Sequence, residues 1–273
     1  MIAKLVLSAL VFSVMNLNGV EGLLGKSKLP VPDKVISNQL TQNQQDYPVR
    51  GEIRQTHQLA PNANIEVTGI EGSVDVETTN GGTAEIHFVR QARTQTDYDC
   101  ETIVVQHSPT SLVVQHQTKL EKRCQIIKAH EQMKLVVPRS ANLNFHNIEG
   151  GVSVDTTDGF LRLNNIEGSV RVGQAQVAEI KSVEGDLALN VEQIRSQGIG
   201  IHNIEGAVEL GVTKNLNADL RVVDTSGHIQ IDIPNIQTSG SGRRDYRLRL
   251  GSGGANISIS RIEGGVKITT FNP

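Results

Sequence analysis

Leu161-Arg162-Leu163-Asn164-Asn165-Ile166-Glu167-Gly168-Ser169-Val170-Arg171-Val172 decides how this chain folds. Aliphatic residues stand at every second position on each side of the Glu-Gly pair, with Ile166 immediately before it. Period-two alternation in Leu and β-branched residues specifies a strand with one buried face, so the stretch reads as two short strands around a tight bend. No helical period appears in the body of the chain.

The same pattern recurs. Ile-Glu-Gly stands at 70–72, 148–150, 166–168, 204–206 and 262–264, with Val183-Glu184-Gly185 and Thr225-Ser226-Gly227 as degenerate copies. The apolar places hold Ile65, Val67, Ile70, Val74 and Val76 in the first copy and Leu143, Phe145, Ile148, Val152 and Val154 in the second. They hold Ile257, Ile259, Ile262, Val266 and Ile268 in the seventh, while the sixth breaks step with Thr225. Copies two to six begin 17 to 21 residues apart, which predicts an all-β solenoid of two-strand coils stacked in parallel at about 4.8 Å. An antiparallel meander would show the same alternation, but its turns would repeat at half that distance. The glycine of each bend is expected to supply a positive φ, and Asn147, Asn165 and Asn203 to stack as an amide ladder.

Two segments interrupt the stack. Residues 77–134 carry Cys100, Cys124 and a hairpin about Pro109-Thr110 that puts Ile103, Val105, Leu112 and Val114 on one face. Residues 232–254 include Thr238-Ser239-Gly240-Ser241-Gly242-Arg243-Arg244 and read as a polar loop. The expected organisation is an export signal over 1–22, a flexible polar leader over 23–51 and one solenoid domain over 52–273. Lys4 and the apolar run Leu5 to Met15 suit a secretory signal and are too short for a bilayer-spanning helix, with cleavage near Val20-Glu21-Gly22. No membrane span is expected once the signal is removed. The leader holds Pro30, Pro32, Pro48 and the polar run 38–45, and has no period that could bury a face.

Composition narrows the function. With 26 basic against 29 acidic side chains, a net charge of −3, 3% aromatic residues and no Trp, the chain lacks both the field and the stacking platforms of a nucleic-acid binder. Gly25-Lys26-Ser27 is not a phosphate loop, because Val20 stands where its first glycine belongs. The two cysteines of an exported chain are expected to pair as a disulfide, Cys100 with Cys124. His107 and His116 fall at opposite ends of the hairpin face and read as solvated edge residues that cannot share a metal. With no Cys-x-x-Cys and no His pair at ligand spacing, no metal centre and no cofactor is expected. The one weak candidate is a column of Glu149, Glu167, Glu184 and Glu205, equivalent in successive copies, that could attract Ca²⁺. No nucleophile elbow or zincin motif is present. Stacked β-helices do host polysaccharide lyases, and Asp75, Asp155, Asp158 and Asp186 are available, but the bends are too short to wall a cleft.

The stretch from Glu52 to Ile268, with Gln55-Thr56-His57-Gln58-Leu59, Val136-Val137-Pro138-Arg139-Ser140 and Asn215 to Val222, resembles the bacterial "putative adhesin" β-solenoid domains, an exported family of unknown function. Where those domains tend to carry Asn-Gly at the bends, this chain has Glu-Gly, which makes its surface more acidic. The resemblance implies a stacked β fold and an exterior location, periplasmic, envelope-associated or secreted, and carries no catalytic residue. The expected function is that of a non-catalytic structural or surface-interaction protein, an adhesin or envelope scaffold with a protein or glycan ligand at the surface. The alternative is a polysaccharide-active or polysaccharide-binding β-helix protein.

Overall fold

The computed structural model describes residues 47–124, 129–234, 237–239 and 245–272. The stretches expected as export signal and leader, up to residue 46, and Arg243 and Arg244 lie outside the described residues. The fold is an all-β solenoid. Its first copy is β2 (Asn64–Thr68) and β3 (Gly72–Thr79), and its second begins at β8 (Asn142–Ile148). Two long strands, β9 (Val152–Ile166) and β10 (Val170–Val183), each run along one side of the stack, turn the corner and continue along the other. They are followed by β11 (Leu187–Val191), β12 (Ile199–Ile204), β13 (Val208–Val212), β14 (Ala218–Thr225) and β15 (Ile229–Asp232), and the chain ends in β18 (Ala255–Ile262) and β19 (Val266–Thr270).

Equivalent residues pair in parallel register from coil to coil. Ile65 faces Leu143, Leu143 faces Leu161, Leu161 faces Ala178, and Ala178 faces Ile199. A one-residue deletion at the corner of the fourth copy, where Gln176 meets Asp158-Gly159, is absorbed as a register shift between Ala175 and Val177. The inward places are almost wholly excluded from solvent: Ile65, Ile70, Phe145, Leu161, Leu163 and Ile180 are all 0% exposed. Each buried aliphatic side chain contributes roughly 1.5–3 kcal/mol, and a one-residue slip would turn an entire row outward, so this pattern sets the register.

The order of the coils differs from chain order. Ile257 of the seventh copy pairs with Ile199 of the fifth on one side and with Leu220 of the sixth on the other. The chain therefore lays its sixth coil one position out and returns to fill the gap. The segment expected as a polar loop makes this return: β16 (Gln237–Ser239) and β17 (Asp245–Leu250) form an antiparallel edge on β14, with Leu248 and Leu250 buried.

The other end is also closed by antiparallel strands, and the excursion over 77–134 is more than a hairpin. β4 (Thr83–Ala92), the short helix α1 (Gln95–Cys100), β5 (Glu101–Ser108), β6 (Ser111–Thr118), a 3-10 turn (Lys122–Cys124) and β7 (Ala129–Pro138) build it. β6 and β7 add one further layer beneath the first copy, paired in parallel with β2 and β3. β5 then pairs antiparallel with β6, and β4 with β7. The hairpin turns at Pro109-Thr110, Leu112 and Val114 are buried, and Ile103 and Val105 pack on the core. Beyond β4 lies β1 (Val49–Gln58), so Val49 to Gly51 belong to an edge strand rather than to a leader. Its charged Arg50, Glu52 and Arg54 discourage further strand addition. A disulfide joins Cys100 to Cys124 across α1 and the 3-10 turn.

The bends differ from expectation. The positive φ falls three residues before each bend glycine, on Asn147, Asn165, Ser182, Asn203, Asp224 and Arg261, with Gly69 in the first copy. Asn is the residue other than Gly that best tolerates this region, which explains its recurrence there. Asn165 Nδ2 does donate to Asn147 Oδ1 at 3.0 Å, but Ser182 stands between Asn165 and Asn203 and interrupts the ladder. The bend glycines are needed for close stacking instead. A Cβ on Gly168 would lie 2.5 Å from the backbone of Gly150, and one on Gly206 would lie 2.5 Å from the carbonyl of Gly185.

Candidate functional site

Two regions of the solenoid are more than core. The first is the outer face of the second-strand sheet. Asp75, Ser153, Arg171, Ala188, Glu209 and Lys267 occupy one register row across successive coils and line a groove of about 650 Å³ along the stack. The adjoining row is small at Ser73, Gly151, Ser169, Ala207 and Gly265 and carries larger side chains only at Asp186 and His228, so the parallel stacking of a mostly small template position creates the depression. Asp186 lies in the same groove and accepts from the Ala207 amide at 2.8 Å. Lys267 Nζ donates to Glu209 Oε1 at 3.1 Å.

The second is a buried ionic cluster at the N-terminal end of the stack. Arg90 in β4 and Glu131 in β7 are cross-strand partners. Arg90 Nη2 and Nε donate to Glu131 Oε1 at 2.6 and 2.9 Å, and Nη1 donates to the Glu101 carbonyl at 2.8 Å. The guanidinium lies over the rings of Phe88 and Tyr98, at 5.3 and 5.8 Å from their centres. The Glu71 amide donates to Glu131 Oε2 at 3.1 Å. His116 is the correction to the sequence reading: its side chain is 6% exposed, wedged among three carboxylates. Its Nε2 is 3.8 Å from Glu101 Oε2 and 3.7 Å from Glu131 Oε1, and its Nδ1 is 3.9 Å from Glu71 Oε1. His107, by contrast, is exposed and stacked on His57, ring centres 4.5 Å apart.

Burial, reinforced by the charge of Glu101 and opposed by His116, pushes the Glu71 carboxyl up to about 7. Burial alone would lower the pKa of His116, but the contact with Glu101 and the charges of Glu131 and Glu71 outweigh it and raise it. Two polar groups remain unsatisfied. Both Glu101 carboxylate oxygens and His116 Nε2 are buried without a hydrogen-bond partner.

The glutamate column connects to this cluster. Glu149, Glu167, Glu184 and Glu205 are exposed, and each amide donates to the coil beneath at 2.9–3.0 Å. Glu71 precedes them in the stack and Glu263 follows Glu205, because Glu149 binds the carbonyl of Ile70 and Glu263 that of Ile204. The Glu149 carboxyl is raised, first by burial and then by Glu167.

Residues 135–269 match the Toastrack domain model, DUF4097. That span starts in the middle of β7 and contains the second to seventh coils, so the Toastrack region is the regular part of the solenoid and the ionic cluster is built mostly from what precedes it. Among solved structures, a "putative cell adhesion protein" from Clostridium sporogenes is 10% identical, covers 81% of this chain and 100% of its own, and has a TM-score of 0.45. A "putative adhesin" from Bacteroides fragilis is 14% identical over 81% of this chain and 98% of its own, at 0.34. A "putative lipid binding protein" from Parabacteroides distasonis is 10% identical over 81% and 97%, at 0.24. No curated protein matches the sequence.

Proposed function

We propose that this protein is an exported, non-catalytic interaction module that holds an extended ligand of the cell envelope, a glycan or a peptide chain, along the groove of its second-strand sheet. The observation that carries this reading is the groove itself, which repeats one shallow cross-section over successive coils and so suits a polymer rather than a compact small molecule. Its row of Asp75, Ser153, Arg171, Glu209 and Lys267 offers hydrogen-bond donors and acceptors. The Cys100–Cys124 disulfide supports an extracytoplasmic location, because such bonds persist in oxidising compartments. No helix among the described residues is long and apolar enough to cross a membrane. The adhesin names of the neighbours agree with a surface role.

The test is co-sedimentation of purified protein with cell-envelope fragments. Ala188→Trp combined with Ser153→Trp fills the groove from its solvent face without entering the core, and should abolish binding while leaving the melting transition in place. Undiminished binding by that variant would remove the groove from the function. Recovery of the native protein wholly in the cytoplasmic fraction would remove the surface role.

A further inference from the structure

The buried end of the glutamate column holds a feature that a groove-binding role does not use. Glu101 is completely buried, yet neither of its carboxylate oxygens accepts a hydrogen bond, and the neighbouring His116 Nε2 is buried and equally unpartnered. An unsatisfied buried carboxylate is among the most expensive groups a fold can contain. Arg90 relieves it only in part: its guanidinium donates to Glu131 and to the Glu101 backbone carbonyl, and its Nε pairs with Glu101 Oε2 at 3.4 Å by charge but without a hydrogen bond. One ligand atom from each of Glu71, Glu101 and His116 lies within 4.8 Å of the other two. All three point into the same space.

We propose that Glu71, Glu101 and His116 form a binding site for one divalent transition-metal ion of the Zn²⁺ type. The charge balance admits an ion of that valence. In the deprotonated state that ligation requires, Glu71, Glu101 and Glu131 bring three negative charges against the single positive charge of Arg90, and one divalent ion supplies the two positive charges that bound protons would otherwise provide. The donor set selects the class. One imidazole with two carboxylates suits Zn²⁺ and its first-row neighbours, whereas Ca²⁺ takes six to eight oxygen ligands and no nitrogen. Coordination at about 2.0–2.1 Å requires the three donors to close in by roughly 1 Å, a shift within reach of side-chain torsions. Glu131, held by Arg90 and by the Glu71 amide, is a positioning residue behind the site. Entry is from the side of Glu71, whose side chain is 30% exposed. The Cys100–Cys124 bond anchors the strand at the residue next to Glu101.

The experiment uses the untagged full chain, stripped with chelator and titrated with Zn²⁺ against a chromogenic competitor. The parent should take up one Zn²⁺ per chain, and its melting temperature should climb with Zn²⁺ concentration and not with Ca²⁺. Glu101→Gln and His116→Gln should weaken binding at least 100-fold, while Glu167→Gln in the exposed column and the groove variant Ala188→Trp should bind Zn²⁺ as the parent does. Should either buried variant fail to fold, Glu71→Gln, on a half-exposed bend, decides the matter by the same loss. A parent that takes up no stoichiometric Zn²⁺, or a Glu167→Gln variant that loses as much as His116→Gln, overturns the site and leaves a proton-balanced ion network or a diffuse surface effect. Loss of envelope binding with Zn²⁺ uptake intact would fail the groove reading alone.

Discussion

The middle of the stack and its N-terminal end solve the same burial problem with opposite chemistry. From the second coil to the fifth the interior is a set of apolar columns, and no charged side chain is buried there among the described residues. In the layers β4 to β7 the interior also receives Arg90, Glu101 and Glu131, at 4%, 4% and 2% exposure. Regular coils can use one apolar template because each is covered by an identical neighbour. The end has no such neighbour. It turns from parallel to antiparallel pairing and binds its layers with a charge network specific to one arrangement.

The comparison predicts very different penalties for a charge in the two places. Ile166 is 1% exposed in the middle of a column, and Ile166→Asp puts an unpaired carboxylate there. The expected result is loss of the cooperative thermal transition, since the penalty of about 5 kcal/mol or more rivals the stability of a typical domain. A variant melting near the parent would show that the column can open to water.

Arg90→Met sharpens the contrast. It retains length and apolar volume but leaves Glu101 and Glu131 buried without their guanidinium, and should cost about 3–5 kcal/mol in denaturant unfolding. Adding Glu131→Leu should restore part of that loss, because a well-packed apolar pair often equals a buried ion pair. An unchanged unfolding midpoint in Arg90→Met would mean that the end is hydrated.

These regions also differ in how readable they were. The coils announce themselves because burial alternates along every strand and recurs at the distance of a full coil. Their order was not readable: Leu220, Ile199 and Ile257 are interchangeable aliphatics, and nothing local tells the seventh copy to stand between the fifth and the sixth. The cluster spans residues far apart in the chain, and no single stretch displays it. A signal did exist in phase. Arg90 follows Ala84, Ile86 and Phe88 on the buried phase of β4, and Glu131 precedes Met133, Leu135 and Val137 on that of β7. His116 continues the phase of Leu112 and Val114. Charged residues in the apolar phase of strands that meet at one end are the mark of a buried network, and reading His116 as an edge residue overlooked it. The bend glycines were legible as necessary but not for the right reason, because close backbone approach between coils is a property of the stack and not of the turn.

A smaller effect follows from pH, measured with chelator present. The fold holds Glu71 at about 7, above its ordinary 4.5, so it favours the protonated form. The resulting destabilisation is absent below about pH 4.5 and complete above about pH 7. The raised His116 acts in the same direction: its stabilising charge is present below its ordinary 6.5 and disappears as pH climbs past the raised value. Stability should therefore fall from about pH 5 to pH 8, by on the order of 2 kcal/mol for Glu71 once its partial exposure is allowed for. In Glu71→Gln the fall between pH 5 and 7 should flatten. Glu101, Glu131, Glu149 and Arg90 all face this pair, and a slope unchanged by Glu71→Gln would assign the titration to His116 instead.

The smallest effect belongs to the exposed part of the column, where the regular stack carries its own charges in water. Neighbouring carboxylates about 5 Å apart repel by about 0.8 kcal/mol in bulk dielectric, and exposed side chains can splay to reduce this. Replacing Glu149, Glu167, Glu184 and Glu205 together by Gln should thus stabilise the solenoid by about 1–2 kcal/mol at low salt, and the gain should fade as added salt screens the charges. Ca²⁺ should do no more for the parent than the same ionic strength of Mg²⁺, because each coil offers this column a single carboxylate and Ca²⁺ needs six or more oxygens. A rise in melting temperature that Ca²⁺ produces, Mg²⁺ does not reproduce and the Gln variant lacks would show that stacking turns a repeated bend residue into a cation site. The regular middle of the molecule, and not only its irregular end, would then bind metal.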